Sequence, residues 1–153
     1  MTMSLWLCAP GELPPHDGKK KSLAGPLFDL ASLQKLLAAG ALDLANDSHF
    51  YVATDDCWAD MKALKWVPAR HLRQALMLLV PKPRKDQGDY LNSQWAEDSD
   101  GNWHPCDAYA ICLDESNEDV FVRAKGAPQT YIKFSIDQSG CVCLFLLSCH
   151  ASS

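Results

Sequence analysis

The stretch Thr130-Tyr-Ile-Lys-Phe-Ser-Ile-Asp-Gln-Ser-Gly-Cys-Val-Cys-Leu-Phe-Leu-Leu-Ser-Cys-His150 carries the strongest fold signal in the chain. Two runs of β-branched, aromatic and apolar residues flank Gln138-Ser-Gly, which is typical of a β-hairpin. The second run is apolar on both alternating faces, so it predicts a central strand covered on both sides. His150 follows where that apolar run stops. In the first run, the period of two places Tyr131 and Lys133 on one face.

Further short runs rich in Trp, Tyr, Val, Ile and Phe are separated by turn residues and predict more strands. Together with the hairpin, these runs cover residues 90–95, 106–113, 119–124, 129–136 and 141–149. Upstream, leucine spacing and capping residues predict helices from Asp29 or Ser32 to Gly40, from Thr54 to about Lys65, and from Pro68 through Val80, with a short strand at 48–52. Helices followed by consecutive hairpins predict an α+β fold, with N-terminal helices packed on a C-terminal antiparallel sheet.

The N-terminal 26 residues differ in character from the rest of the chain. Residues 9–26 hold four prolines and three glycines, so we expect an irregular arm over residues 1–26 and one folded domain over 27–153. Lys19, Lys20 and Lys21 in this arm are able to touch phosphate, although a charge run of this kind is more often a solvated tail.

Composition narrows the class of protein. The chain has 153 residues, with 14 Lys and Arg against 19 Asp and Glu and a net charge of −5, which argues against general polyanion binding but allows a local basic site. No apolar run approaches the roughly 20 residues that span a bilayer, and the N-terminus lacks a secretory signal. Seven cysteines fit no regular disulfide framework. We therefore expect a soluble, cytoplasmic protein with reduced thiols and no membrane association.

Several polar residues fall in strands where they are able to carry chemistry. Tyr131, Lys133 and His150 share the hairpin, and Asp107 and Tyr109 share one face of the run 106–113 by the period of two. A histidine, a tyrosine and a lysine on one sheet face are able to act as acid, base and phosphate stabiliser in RNA cleavage. The alternative is a solvated strand face beside a frayed terminus.

Other chemistries have weaker support. No CxxC or HxxxH pair is present, and no GxxxxGK or GxGxxG loop, so we expect neither a metal nor a nucleotide cofactor. A cysteine enzyme that pairs Cys106 with His104 remains a separate possibility that no motif supports.

The order of the pieces from about Phe28 to His150 resembles the MqsR family of type II toxin–antitoxin toxins. The matching stretches are Leu33-Gln-Lys-Leu-Leu-Ala-Ala-Gly40, Met61-Lys-Ala-Leu-Lys-Trp66, residues 69–80, Asp89-Tyr-Leu-Asn-Ser93, Trp103-His-Pro-Cys-Asp-Ala-Tyr109, Thr130-Tyr-Ile-Lys-Phe134 and the closing strand to Ser148. The resemblance implies a RelE-like fold and an endoribonuclease (messenger-RNA interferase) activity. Such toxins cut RNA without metal by activating the ribose 2′-hydroxyl, and a cognate antitoxin protein neutralises them.

The resemblance also assigns roles to individual positions. The family's active tyrosine falls on Tyr131, and its terminal-strand lysine falls on His150, which is able to act as acid or base. Two further family positions fall on Asn92 and Cys106, where neither residue brings a positive charge. We therefore expect Tyr131 and His150 as the principal catalytic residues, Lys133 and Asn92 as secondary ones, and Arg123, Lys125 and Tyr109 as RNA contacts.

A second interpretation belongs to a different class. Because only the tyrosine of the family's site is retained, the chain also fits a catalytically degenerate protein of the toxin fold that acts through protein–protein binding, with a partner on an exposed sheet edge or helix face.

Overall fold

The computed structural model describes residues 5–15, 21–117, 119–138 and 142–151. Three α-helices and seven strands make up a mixed fold with one large sheet. In chain order the elements are β1 (Lys21–Leu23), α1 (Leu30–Ala39), β2 (Phe50–Val52), α2 (Asp55–Leu64), a π-helical segment (Pro68–Leu72), α3 (Arg73–Leu78), a 3-10 turn (Arg84–Asp86), β3 (Tyr90–Glu97), β4 (Trp103–Asp114), β5 (Val122–Arg123), β6 (Gln129–Asp137) and β7 (Cys143–Ala151).

The sheet has the order β1-β3-β4-β6-β7-β2, and β5 pairs with the end of β4. All pairs are antiparallel except β2 with β7, which are parallel. The α+β class with an antiparallel sheet is confirmed at this level. The predicted hairpin forms between β6 and β7, although residues 139–141 of its turn lie outside the described residues.

Helices α1 and α2 begin and end at residues that the sequence marks. Asp29 caps α1 by accepting from the Ser32 amide at 3.2 Å, and Gly40 ends it with φ of 74°. Thr54 caps α2 by accepting from the Cys57 amide at 3.0 Å, and Lys65 follows in the left-handed region. Both helices therefore confirm their predictions, with Asp29 rather than Ser32 as the cap of the first.

The third predicted helix, 68–80, is not a uniform α-helix. It starts as the π-helical segment, in which the Arg73 amide bonds the Pro68 carbonyl, and α3 then ends at Leu78. Leu79 is already extended, two residues before Pro81, and the Gln34 side chain donates to the carbonyls of Leu76 and Leu79 at 2.9 and 3.0 Å.

The N-terminal arm is less irregular than its prolines and glycines predict. Lys21–Leu23 forms β1 on the edge of β3, where it pairs with residues Ser93, Gln94 and Trp95. Leu5 is fully buried in the same core as Leu27, so this end of the arm also packs on the body, whereas Leu7 and Leu13 are exposed. The open edge of β3 and the burial of Leu5 and Leu27 order these parts of the arm, and neither is visible in the local sequence.

The sheet has two unlike faces. The helix face carries the main core, in which Phe28, Phe134, Ile132 and Leu146 pack with residues of the helices. The other face, here called the outer face, follows from the alternation of the pairing register. Its members include Asn92, Gln94, Ala96, His104, Cys106, Ala108, Ala110, Tyr131, Lys133, Phe145, Ser148 and His150.

A small buried cluster of Ala53, Ala96, Cys106 and Leu147 covers one end of the outer face. Strand β7 is central, between β6 and β2, as predicted, but its outer face is only half-buried except at Leu147, so the expected cover on both sides is incomplete. No helix in the described part of the chain is long and apolar enough to cross a membrane.

Candidate active site

Tyr131 and His150 form a stacked pair on the outer face. The register of β6 and β7 places their Cα atoms opposite each other, and their ring centroids are 5.1 Å apart with an interplanar angle of 21°. The His150 Nδ1 lies 3.1 Å from the Ala151 carbonyl oxygen. Because a carbonyl only accepts, this bond places a proton on Nδ1, so that Nε2 carries the lone pair in the neutral imidazole. The imidazole is therefore arranged to accept a proton at Nε2.

Lys133 lies beside the tyrosine, two residues away on the same strand. Its Nζ is 5.9 Å from the centroid of the Tyr131 ring, within the range of a cation–π contact. The side chain is only 4% exposed. It lines a cavity of about 200 Å³ together with Asp56, Glu97 and Ser148, among others. The positive charge is thus held near the tyrosine ring, in a cavity whose lining also includes two carboxylates.

The protonation state of Tyr131 follows from its surroundings. Burial, and secondarily the nearby Cys106 thiol, raise the pKa of the Tyr131 hydroxyl above its usual value near 10. The hydroxyl therefore carries its proton at neutral pH, which makes it a proton donor. The pair consists of a potential acid stacked on a potential base.

Asn92 occupies the same cross-strand row as Lys133. The row runs from Asn92 on β3 through Ala108 on β4 to Lys133 on β6 and Ser148 on β7. Two strand spacings, about 10 Å, separate the backbones of Asn92 and Lys133. Asn92 is exposed. It therefore lies at the border of the site rather than against the stacked pair.

The three predicted RNA contacts lie in three different environments. Arg123 forms an ion pair with the buried carboxylate of Asp89, and Lys125 is exposed in the turn between β5 and β6. Tyr109 is fully buried in the helix-face core, where its ring stacks on Phe134 with centroids 5.8 Å apart.

Tyr109 therefore does not belong to the surface that Tyr131 faces, which corrects its place among the predicted RNA contacts. The period of two correctly puts Asp107 and Tyr109 on one face of β4, but Tyr109 pairs with Ile132, so that face is the helix face. The choice of face depends on this register, which has no local signal in the sequence.

The alternative cysteine enzyme finds no support in the geometry. The Cys106 thiol is fully buried and donates to the backbone carbonyl of His104 at 3.2 Å. The His104 ring instead lies 2.8 Å from the Asp98 carboxylate and stacks on Phe145. Because the imidazole is engaged with Asp98 and Phe145, His104 is not placed as the base for this thiol.

Sequence reasoning did not find the carboxylates of the cavity. Asp56 comes from the first turn of α2 and Glu97 from the end of β3, and neither is close in sequence to Lys133. Only the tertiary arrangement brings them together. Lys133, which alternates with Tyr131 along β6, is the lining residue that the sequence analysis does predict.

Within the described residues, no group of three or more His, Cys, Asp or Glu side chains is arranged to hold a metal ion. Comparisons of the chain with protein-family models, with curated proteins and with solved structures find no match.

Proposed function

We propose that this protein is a metal-independent endoribonuclease of the MqsR type, with a RelE-like fold, acting as the toxin of a type II toxin–antitoxin system in the cytoplasm. The observation that supports the proposal most directly is the stacked Tyr131–His150 pair with the Lys133 charge beside it. An acid, a base and a cation on one face of a sheet are groups that cleavage of RNA through its own 2′-hydroxyl uses. Messenger RNA and a cognate antitoxin are the partners.

The proposed reaction uses the two rings in turn. His150 Nε2 accepts the 2′-hydroxyl proton while the 2′-oxygen forms a bond to the neighbouring phosphorus. The bond from phosphorus to the 5′-oxygen breaks, and that oxygen takes the proton of the Tyr131 hydroxyl. The products are a 2′,3′-cyclic phosphate and a 5′-hydroxyl. Proton transfer from the His150 imidazolium to the Tyr131 phenolate restores both groups. Lys133 stabilises the phenolate from beside the ring, which suits its buried position.

A second candidate function is supported by the shortage of accessible cations at the site. Lys133 is 4% exposed, and Arg123 is held by Asp89. A catalytically degenerate protein that binds a protein partner would have no need of exposed cations beside the pair. This candidate keeps the proposed fold and antitoxin partner but not the RNA cleavage.

Growth after induction in a bacterial host tests the proposal. Expression of the wild-type chain is expected to arrest growth, and the double substitution Tyr131→Phe/His150→Ala is expected to abolish the arrest because it removes the donated proton and the accepting nitrogen. The matched control is Tyr51→Phe/His49→Ala, since Tyr51 is a 46% exposed tyrosine on β2 and neither residue contacts the pair.

Each result of this experiment decides between the two candidate functions. Arrest that the control retains and the double variant loses supports the endoribonuclease. No arrest from folded wild-type protein, or an arrest that survives in the double variant, contradicts it. A harmless chain that copurifies with one protein in stoichiometric amount instead supports the binding protein.

A further inference from the structure

The turn over residues 81–88 is the most basic exposed segment in the described part of the chain. It carries Lys82, Arg84 and Lys85, and all three are exposed. None of the three forms an ion pair within the residues that the structure describes. Asp86 is the single acid in the turn. In a chain with a net charge of −5, this concentration of cations needs an explanation beyond general solubility.

The turn is held in one conformation by its own backbone. The amides of Asp86, Gln87 and Gly88 donate to carbonyls within the turn at 2.9 to 3.0 Å, and the Tyr90 amide donates to the Lys82 carbonyl at 3.0 Å. A Cβ atom at Gly88 would lie 1.8 Å from that same carbonyl oxygen. The three cations are therefore presented on a rigid support, which lowers the entropy lost when they bind a ligand.

Arg123 helps to hold the two ends of this turn in place. Its guanidinium pairs with the Asp89 carboxylate, which also accepts from the Val80 amide at 2.7 Å. The ion pair thus joins the two ends of the turn to strand β5. Because its charge is already neutralised by Asp89, Arg123 positions the turn and is not itself a free phosphate ligand.

The basic turn lies at the same end of the sheet as the stacked pair. Pro83 bridges to Tyr90, Tyr90 pairs with Tyr109, and the next residue of β4, Ala110, pairs with Tyr131. Three strand spacings, about 14 Å, therefore separate the backbone of the turn from that of Tyr131. Asn92 is exposed between them on the outer face. A polynucleotide chain is able to bridge this distance with a few nucleotides.

We propose that residues 81–88 form a phosphate-binding turn that holds single-stranded RNA a few nucleotides away from the cleaved bond, with Lys82, Arg84 and Lys85 as the phosphate contacts. The inference rests on the proposed endoribonuclease function and adds the part that its site lacks, a source of accessible positive charge. Separate binding and cleavage regions are compatible because phosphate contacts position a nucleic acid without reading its sequence.

The test measures binding of a short single-stranded RNA in which every 2′-hydroxyl is methylated, so that it cannot be cleaved by 2′-hydroxyl attack. Wild-type chain is compared with Lys82→Gln/Arg84→Gln/Lys85→Gln. The matched control is Lys35→Gln/Lys62→Gln/Lys65→Gln, which removes the same charge from exposed residues on α1 and at the end of α2. Dissociation constants are taken between about 50 and about 200 mM salt, where phosphate contacts respond most clearly.

Three lost contacts should lower the salt slope by about 2, because each single-strand contact contributes about 0.7. Over that salt range, the wild type and the control should each lose about twenty-fold more affinity than the turn variant. An unchanged slope in the turn variant, or an equal decrease in both variants, overturns the proposal. Binding of polyglutamate but not RNA also overturns it, in favour of an acidic protein partner.

Cleavage of unmethylated RNA, measured in parallel, separates the two proposals. If Tyr131-dependent cleavage occurs while the turn variant binds like the wild type, the phosphate-binding turn fails and the endoribonuclease stands. If the wild type neither binds nor cleaves RNA, both proposals fail.

Discussion

Asp107 and Asp98 are two buried carboxylates whose pKa values are shifted in opposite directions. Asp107 is fully buried and accepts from the amides of Leu27 and Phe28 at 3.0 Å and from the Ser93 hydroxyl at 2.5 Å. Burial outweighs these bonds and raises its pKa. At Asp98, burial also acts to raise the pKa, but the bonds from His104, Asn102 and Asp100 outweigh it and lower the pKa.

The pH dependence of stability should therefore have two separable parts. The raised pKa of Asp107 makes its contribution greatest below about pH 4, the unfolded value, and decreasing as pH rises through the folded value. The lowered pKa of Asp98 makes its contribution full above about pH 4 and lost as pH falls through the folded value. Urea unfolding between about pH 3 and about pH 7 measures both.

Asp107→Asn should remove the loss of stability that accompanies rising pH. Asp98→Asn should remove the loss of stability that accompanies falling pH. Each substitution serves as the control for the other, since both replace a carboxylate with an amide. Parallel pH profiles for the wild type and both variants would show that neither group is linked to folding in this way.

At the scale of the elements, a close backbone approach fixes the basic turn. Gly88→Ala should lower the free energy of unfolding by about 1–3 kcal/mol, because the new methyl group overlaps the Lys82 carbonyl. It should also weaken RNA binding, since the turn must reopen to relieve the overlap. Chemical denaturation and the methylated-RNA assay measure the two effects.

Gly126→Ala, in the turn between β5 and β6, is the control for Gly88→Ala. Gly126 has φ of 87° with open space around its Cβ position, so its substitution brings local strain without a clash. It should reduce stability and leave RNA binding unchanged. RNA affinity that falls equally in both glycine variants would contradict a specific role for the basic turn.

The element ends show which signals are local. Asp29, Gly40 and Thr54 cap their helices through bonds to residues three positions away, and the sequence alone predicts Gly40 and Thr54 and narrows the first cap to Asp29 or Ser32. The change to a π-helical segment at Pro68–Leu72 had no such signal. Phe121 is buried against His71 and its amide donates to the Gln74 side chain at 2.7 Å, so only Val122–Arg123 of the predicted strand 119–124 forms β5.

The residues of the site likewise divide into those with a local signal in the sequence and those placed by tertiary structure. The alternation along one strand was sufficient to place Tyr131 and Lys133 together, and the hairpin brings His150 beside them. The burial of Lys133 depends on residues that are distant in sequence. The face of the sheet on which Tyr109 lies depends on the cross-strand register. Pairing between strands that are far apart in the chain is decided by the whole core rather than by any one segment.

For the whole molecule, the N-terminal arm contributes to stability. Leu5→Ala should lower the free energy of unfolding by about 2–5 kcal/mol, because Leu5 is fully buried in the main core. Leu7→Ala is the matched control, since Leu7 lies two residues away and is 58% exposed, and it should change stability by less than about 0.5 kcal/mol. Urea unfolding of both variants measures the difference, and equal values would contradict a packed arm.

The order of the strands also has a consequence for synthesis. β7 lies between β6 and β2, so the sheet edge near residue 50 closes only after β7 is made. The stacking of Tyr131 on His150 depends on the same strand. A nascent chain on the ribosome therefore carries Tyr131 without His150 until β7 emerges, and the pairing of β7 with β2, which are distant in sequence, forms late. Translation itself delays the assembly of the stacked pair, and a chain truncated before β7 would lack His150.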